Sequence, residues 1–245
     1  MELLRVKTEV MMPPRADVYP VLAKALPALR ERDVFCITSK VLAIHQGRCV
    51  KVPADPAEAL ALKDRLVRAE AEAFLAPLPG SGVPVPLTVK YHTLIPFAGI
   101  DESNGNGWFV LWPVDVVELC REIWEWARGR YGVRELGVVA TDSALLPMRQ
   151  GTVGISIGHF GLVPVADARG KKDIFGRELR MTQVNMVDSL AAMANVAMGE
   201  AAERTPVVIV RDFGGVEFTE RWVGHVMPAD DDVFTPLLQQ MKNHE

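Results

Sequence analysis

The apolar residues of this chain come in short runs, such as 136–140 and 207–210, broken by charged residues, glycines and prolines. Runs of that length suit strands buried on both faces and are far too short to span a bilayer. Between them lie stretches whose apolar positions recur at helical spacing. Such a chain is driven towards a layered α+β domain, with no membrane-crossing segment and no membrane partner expected. With 245 residues, 49% of them hydrophobic, it can bury one large core or two small interlocked ones. The first ten residues, MELLRVKTEV, lack the apolar core of a signal peptide and read as strand, so a cytoplasmic location is expected. A net charge of -4 gives no electrostatic footprint for nucleic acid, which excludes that class of partner.

The three cysteines, Cys36, Cys49 and Cys120, form no C-x-x-C pair and read as free thiols in a reducing compartment. The five histidines form no H-x-x-H or H-E-x-x-H pattern, so any metal must be held mainly by oxygen.

An opening strand over 3–10 leads through Pro13 and Pro14 to a helix over 19–32, with Val21, Leu22, Ala25 and Leu29 on one face. A buried strand is expected over 34–39 and a helix over 56–76, opened by Pro56 at its first position. Residues 77–86 hold four prolines and two glycines and mark a loop, and a subdomain boundary if the single domain over 1–245 is divided. Strands follow over 89–96 and 108–112, on either side of the polar turn 101–107. A helix over 114–130 and a strand over 136–140 come next, then strand and turn over 151–161. A helix over 183–198, a strand over 207–211 and a terminal helix from about Asp231 complete the chain. Strands and helices alternate without a parallel βαβ rhythm, which favours a mixed α+β fold over a Rossmann domain.

Three acids stand at the ends of apolar segments: Asp101 in AGIDESNGNG, Asp142 in VVATDS beside the hydroxyl of Ser143, and Glu200 in AMGEAAE. Strand ends are where such folds expose reactive groups. Two aspartates, a glutamate and a hydroxyl make a hard oxygen set suited to Mg²⁺ or Mn²⁺. On spacing alone each position is more readily read as a turn, cap or helix-stop residue. GTVGISIG is followed by no G-K-[ST], and neither a G-x-S-x-G elbow nor a Ser/His/Asp arrangement is present. Spacing alone thus reaches a soluble metal-binding enzyme and no further. On spacing alone the basic run Arg169, Lys171 and Lys172 reads as a solvated turn. Trp108, Trp112, Trp124 and Trp126 read as core or dimer packing, with Trp108 and Trp112 on one strand face. Ala191, Ala192, Ala194 and Ala197 mark close helix packing, and Asp188 on the same helix is either buried or solvated.

Taken in order, ITSK with QGR, AGIDESN, TDS with MRQGTVGISIG, DARGKKDIFGRELRMT and DSLAAMANVAMGE resemble the coenzyme F420-0:L-glutamate ligase (CofE-like) family, over about 33–211. The TDS-x-x-x-P-M-R form, with ERTP after MGE, is most similar to the branch described as folate-metabolism γ-glutamate ligases. The resemblance implies a CofE-like fold of two intertwined subdomains, working as an intertwined homodimer. The implied enzyme is a nucleotide- and metal-dependent ligase, using GTP or ATP and two Mg²⁺ or Mn²⁺ ions. Through an acyl phosphate it joins L-glutamate to the carboxylate of an F420-0-like or folate-like acceptor.

Carried over residue by residue, Asp101 and Asp142 hold the first metal, and Ser143 and Glu200 the second. Asp142 and Arg149 stand in the catalytic machinery. Ser39, Lys40, Asn104 and the run Met198, Gly199, Glu200, Ala201, Ala202, Glu203, Arg204 and Thr205 touch the nucleotide. Asp167, Lys172, Asp173 and Arg177, with Lys171 and Glu178, belong to another part of the site that binds substrate. Two departures stand out: Ile44, followed by His45, replaces a family lysine, and Ala144, Leu145 and Leu146 replace a polar arginine-containing stretch. Lost phosphate or carboxylate anchors motivate two further readings, a nucleotide-binding regulatory homologue without turnover and a metal-dependent phosphohydrolase.

Overall fold

A computed structural model describes residues 1–77, 85–228, 231–236 and 239 of the chain. Strand β1 (Glu2–Val6) leads to α1 (Val18–Ala25), whose N-cap Asp17 accepts the Tyr19 N–H at 3.1 Å. The helix stops well short of the expected residue 32. Pro27 forces Leu26 into extended backbone, since the residue before a proline is disfavoured in helix. β2 (Asp33–Thr38) runs straight into α2 (Ser39–Gln46), a helix the sequence reading did not anticipate, which ends on the left-handed Gly47. β3 (Cys49–Lys51) precedes α3 (Pro56–Glu70), capped by Asp55, whose side chain accepts the Glu58 N–H at 2.8 Å. α3 is shorter than expected because β4 (Ala73–Leu75) follows it.

The strand expected over 89–96 is two strands, β5 (Leu87–Lys90) and β6 (Thr93–Pro96). Tyr91 and His92 both adopt positive φ between them, the twist a two-residue hairpin requires. β7 (Trp108–Val110) ends before Trp112, so Trp108 and Trp112 do not share a strand. α4 (Val116–Tyr131), β8 (Leu136–Leu145), β9 (Thr152–Phe160), β10 (Val165–Asp167), β11 (Gln183–Asn185), α5 (Met186–Met198) and β12 (Val207–Arg211) complete the order. The loop expected over 77–86 and the helix expected from Asp231 fall largely outside the described residues.

The main sheet has the order β1-β12-β2-β8-β9, with β2 and β8 parallel and every other pair antiparallel. This single parallel pair fits the α+β class rather than a doubly wound one. Side chains alternate across it. Phe35, Ile37, Val138, Ala140, Val207 and Ile209 pack towards α1, α2 and α4; Val34, Cys36, Val139, Val208 and Val210 pack towards α5. Burial on both faces explains why these strands read as unbroken apolar runs. Each fully buried Val, Leu or Ile contributes about 1.5–3 kcal/mol of transfer free energy. A third cluster joins α3 to the smaller sheets through Val67, Ile100, Phe109 and Leu111.

Asp33, fully buried, receives the Arg211 guanidinium at 2.7 and 2.9 Å and ties β2 to β12. The described cysteines are free thiols, and burial pushes Cys36 and Cys120 up to about 12, which keeps them protonated and inert. No described helix is long and apolar enough to cross a membrane.

Candidate active site

A cavity of about 430 Å³ opens where β2 passes into α2. Thr38, Ser39 and Lys40 form one wall, at the N-terminus of α2, where free backbone N–H groups and the helix dipole favour an anion. The turn after Ile100 supplies Asp101, Ser103 and Asn104. Strand β8 supplies Asp142 and Ser143, and the loop after α5 supplies every residue from Met198 to Pro206.

Asp142 does not sit at a strand end, as the sequence reading had it, because β8 continues to Leu145. Its position is set by a bulge: the register with β9 jumps from Ala140 opposite Gly158 to Thr141 opposite Ser156. Bulges bend a strand and re-aim the side chains beside it. The Asp142 carboxylate accepts from Ser39 Oγ at 3.1 Å, from the Ser143 N–H at 2.7 Å and from Trp112 Nε1. Burial pushes its pKa up to about 6 against these donors, and the negative charge of Asp101 adds to the rise.

Asp101 is held differently. Burial also pushes its carboxyl up, but the Lys40 ammonium at 2.5 Å and the N–H and hydroxyl of Ser103 outweigh that and hold it below the usual range. Lys40 also donates to the Ser103 carbonyl at 2.8 Å. Asn104 Nδ2 donates to the Ala201 carbonyl at 3.0 Å and so links the Asp101 turn to the loop after α5.

The geometry tests whether these residues suit a divalent cation. Two carboxylates on one cavity, with the charge of Asp101 raising the pKa of Asp142, are the environment a cation between them relieves. Asp101 and Asp142 fit one such ion. Among the described residues no three His, Cys, Asp or Glu side chains gather closely enough to hold an ion by themselves. Ser143 and Glu200 line the same cavity, but Glu200 is exposed and its contact is Thr152 Oγ1 at 3.4 Å. A second ion there would take further ligands from substrate or water.

The cavity therefore gathers Ser39, Lys40, Asp101, Asn104, Asp142, Ser143 and the run Met198 to Thr205. It does not gather the rest. Arg149 is exposed in the turn between β8 and β9. Asp167, Lys172, Asp173 and Arg177 lie on an exposed arm between β10 and β11, away from this cavity. There Asp167 pairs with Arg169, and Asp173 accepts the backbone N–H of Phe175 and Arg177. Of the two departures, Ile44 is buried against the core and lines the cavity, whereas Leu145 and Leu146 are exposed.

The sequence reading missed Trp112 as a site residue. It is 1% exposed, and a buried indole N–H needs an acceptor, here the Asp142 carboxylate 30 residues along the chain, which no local pattern marks. Gly99, at φ +73, lets the chain pass the Trp112 ring, where a Cβ would lie 2.3 Å from it.

The sequence profile of a family described as F420-0:Gamma-glutamyl ligase matches residues 7–212. Among similar proteins, one from Methanopyrus kandleri is 33% identical over 210 residues, 81% of this chain and 81% of that protein. One from Methanocaldococcus jannaschii is 40% identical over 137 residues, 56% of this chain and 55% of that protein. One from Methanothermobacter thermautotrophicus is 40% identical over 117 residues, 47% of this chain and 46% of that protein. All three are named coenzyme F420:L-glutamate ligase, and the matches span about half the length of the last two.

Proposed function

The chain belongs to the F420-0:gamma-glutamyl ligase family, and from that premise we propose that it joins L-glutamate through an amide bond to the carboxylate of a small acceptor of the F420-0 or folate-like kind, at the expense of GTP or ATP. The observation that carries this reading is the meeting of Asp101, Asp142 and Lys40 at the N-terminus of α2, across one cavity from the loop after α5. A polyphosphate fits the end of the cavity with the helix N-terminus and Lys40. Asn104 and the run Met198 to Thr205 close over the rest of the nucleotide.

A carboxylate is a poor electrophile, so the acceptor is first phosphorylated and the glutamate amine then displaces phosphate from the acyl phosphate. Both partners of the first step are anions. Lys40 neutralises part of that charge, and Ser39, Trp112 and the Ser143 N–H fix the direction of the Asp142 carboxylate. Asp101 and Asp142 would hold Mg²⁺ or Mn²⁺, with Ser143 and Glu200 contributing to a second ion. Such ions stabilise charge on the transferring phosphoryl group.

The working form in this reading is a homodimer. The arm carrying Asp167, Lys172, Asp173 and Arg177 also exposes Ile174, Phe175 and Met181, each roughly nine-tenths open to solvent. A second copy gives those apolar side chains a surface to cover and the polar ones a site to join.

The test is a turnover assay with Mg²⁺ or Mn²⁺, GTP or ATP, L-glutamate, and F420-0 or a pterin carboxylate. Phosphate release that needs both glutamate and acceptor, with a product heavier by one glutamyl residue, supports the ligase. Nucleotide binding without turnover replaces it with the regulatory reading that Ile44 and the run Ala144, Leu145 and Leu146 motivate. Release from a phosphomonoester alone replaces it with a hydrolase.

A further inference from the structure

A second cavity, of about 970 Å³, lies beside the edge strand β9, between the first turn of α4, the β5–β6 hairpin and the segment after Trp222. Its volume is at the top of the range typical of small-molecule sites, roughly 300–1,000 Å³. Its charge is one-sided. Glu72, Asp115, Glu118, Asp188 and Asp232 line it, and no lysine or arginine does so among the described residues. Some of this charge is answered: Glu118 pairs with Arg121, and Glu72 and Asp232 each accept a backbone N–H. The wall stays acidic and repels the anionic substrates of the reaction proposed above.

His159 provides an independent observation. It lines this cavity at 1% exposure, and its Nε2 lies 2.9 Å from the Val223 carbonyl, which makes Nε2 the protonated nitrogen. Nδ1 is then a lone-pair acceptor. It is the buried side-chain polar atom without a partner among the described residues. A buried acceptor left empty costs about 1–3 kcal/mol. The His225 ring packs edge-on against the His159 ring with centroids 5.0 Å apart, itself half-buried on a stretch without helix or strand. Burial holds both imidazoles below their usual pKa, His159 at about 4, so both rings are uncharged at neutral pH, and no His225 nitrogen bonds Nδ1. Asp188, across the cavity, accepts the Ser156 N–H at 2.7 Å and an Asn185 Nδ2 hydrogen at 2.5 Å, so its carboxylate is turned to those donors.

We propose that this cavity binds a protonated organic amine. One N–H is donated to His159 Nδ1 as His225 turns aside, the carboxylates balance the charge, and the face of Trp222 packs on the cation. The site is distinct from the cavity of Asp101 and Asp142. Tyr91 on this side and Trp112 on the other stand stacked at 6.1 Å between the two.

The probe is benzylammonium, titrated into the full chain by calorimetry at neutral pH. Saturable one-to-one binding is expected, with a Kd below about 1 mM. Benzyltrimethylammonium keeps the charge but lacks the N–H, and benzyl alcohol keeps a donor but lacks the charge. Each is expected to bind at least roughly tenfold more weakly. His159→Phe is expected to weaken benzylammonium about tenfold, and Asp142→Asn to leave its Kd unchanged. If His159→Phe fails to fold, the double variant Glu72→Gln, Asp115→Asn decides, with an expected loss of about tenfold. No saturation at about 10 mM, equal binding of the trimethylated cation, loss of binding in Asp142→Asn, or unchanged affinity in the folded cavity variants would each overturn the site. Ligase turnover is not read in this experiment, so its result is independent of the proposed reaction.

Discussion

At the scale of single residues, Asp142 concentrates the chemistry of the first cavity. Its side chain is half-buried and braced by three donors, and desolvation raises its pKa to about 6. Asp142→Asn keeps the shape and removes the charge, so it is expected to fold normally and to lose roughly 10²–10³-fold or more in turnover. A phosphate-release assay within tenfold of the parent would remove Asp142 from the mechanism. His159 carries a pH prediction. Burial lowers its folded pKa from 6.5 to about 4, so the unfolded chain binds this proton more readily. Its contribution to stability is complete above about pH 6.5 and is lost as the pH falls towards 4. Asp142, with a raised pKa, works in the opposite sense over part of that window, so the comparison must be with a variant. Urea unfolding at pH 7 and pH 4.5 is expected to show a loss about 1–3 kcal/mol smaller in His159→Phe than in the parent. Equal losses would mean that His159 does not titrate as its surroundings dictate.

At the scale of elements, α3 and the β4-β5-β6 sheet are held together by charge as well as by apolar contact. Lys90 on β5 is 2% exposed and is paired to Glu70 at the end of α3, which also receives Arg48 at 2.6 Å. Burial pushes the Lys90 ammonium down, and Glu70 works against that. Glu70→Gln leaves a buried ammonium without its counter-charge, and a loss of about 3–5 kcal/mol is expected. Replacing both partners, Glu70→Leu with Lys90→Met, is expected to recover most of it. Denaturant midpoints of the two variants check this, and no loss in Glu70→Gln would show that apolar packing alone joins these elements. Gly99 matters for the same region. An alanine there takes on the positive φ and meets the Trp112 ring, so Gly99→Ala is expected to lower stability and disturb the Asp142 brace together.

At the scale of the whole molecule, the exposed arm is the feature a lone copy leaves unexplained. Light scattering is expected to give twice the 27.0 kDa chain mass, and Ile174→Asp with Phe175→Asp to give a folded monomer. A monomeric parent would leave the arm without the partner proposed for it.

Much of this fold was legible in the chain because the information was local. Alternating burial on both faces of β2, β8 and β12 is written as unbroken apolar runs, and the capping of α3 as Asp55-Pro56. Boundaries failed where one residue overrode its neighbours: Pro27 cut α1 short, Tyr91 and His92 folded one strand into two, and Ser39 began a helix rather than ending a strand. Quoted motifs also named most residues of the first cavity. Trp112, Gly99 and the bulge that aims Asp142 were beyond sequence reading, since each depends on an atom tens of residues away. By itself the sequence determined the strands of the main sheet, most helices and the family, because these follow from periodicity and short motifs. Only the tertiary structure decided that Lys40 faces Asp101 while Trp112 faces Asp142, and that His159 lies beside a cavity with an empty acceptor. Hydrogen bonds and charge pairs act over a few ångströms in space, whatever the distance along the chain.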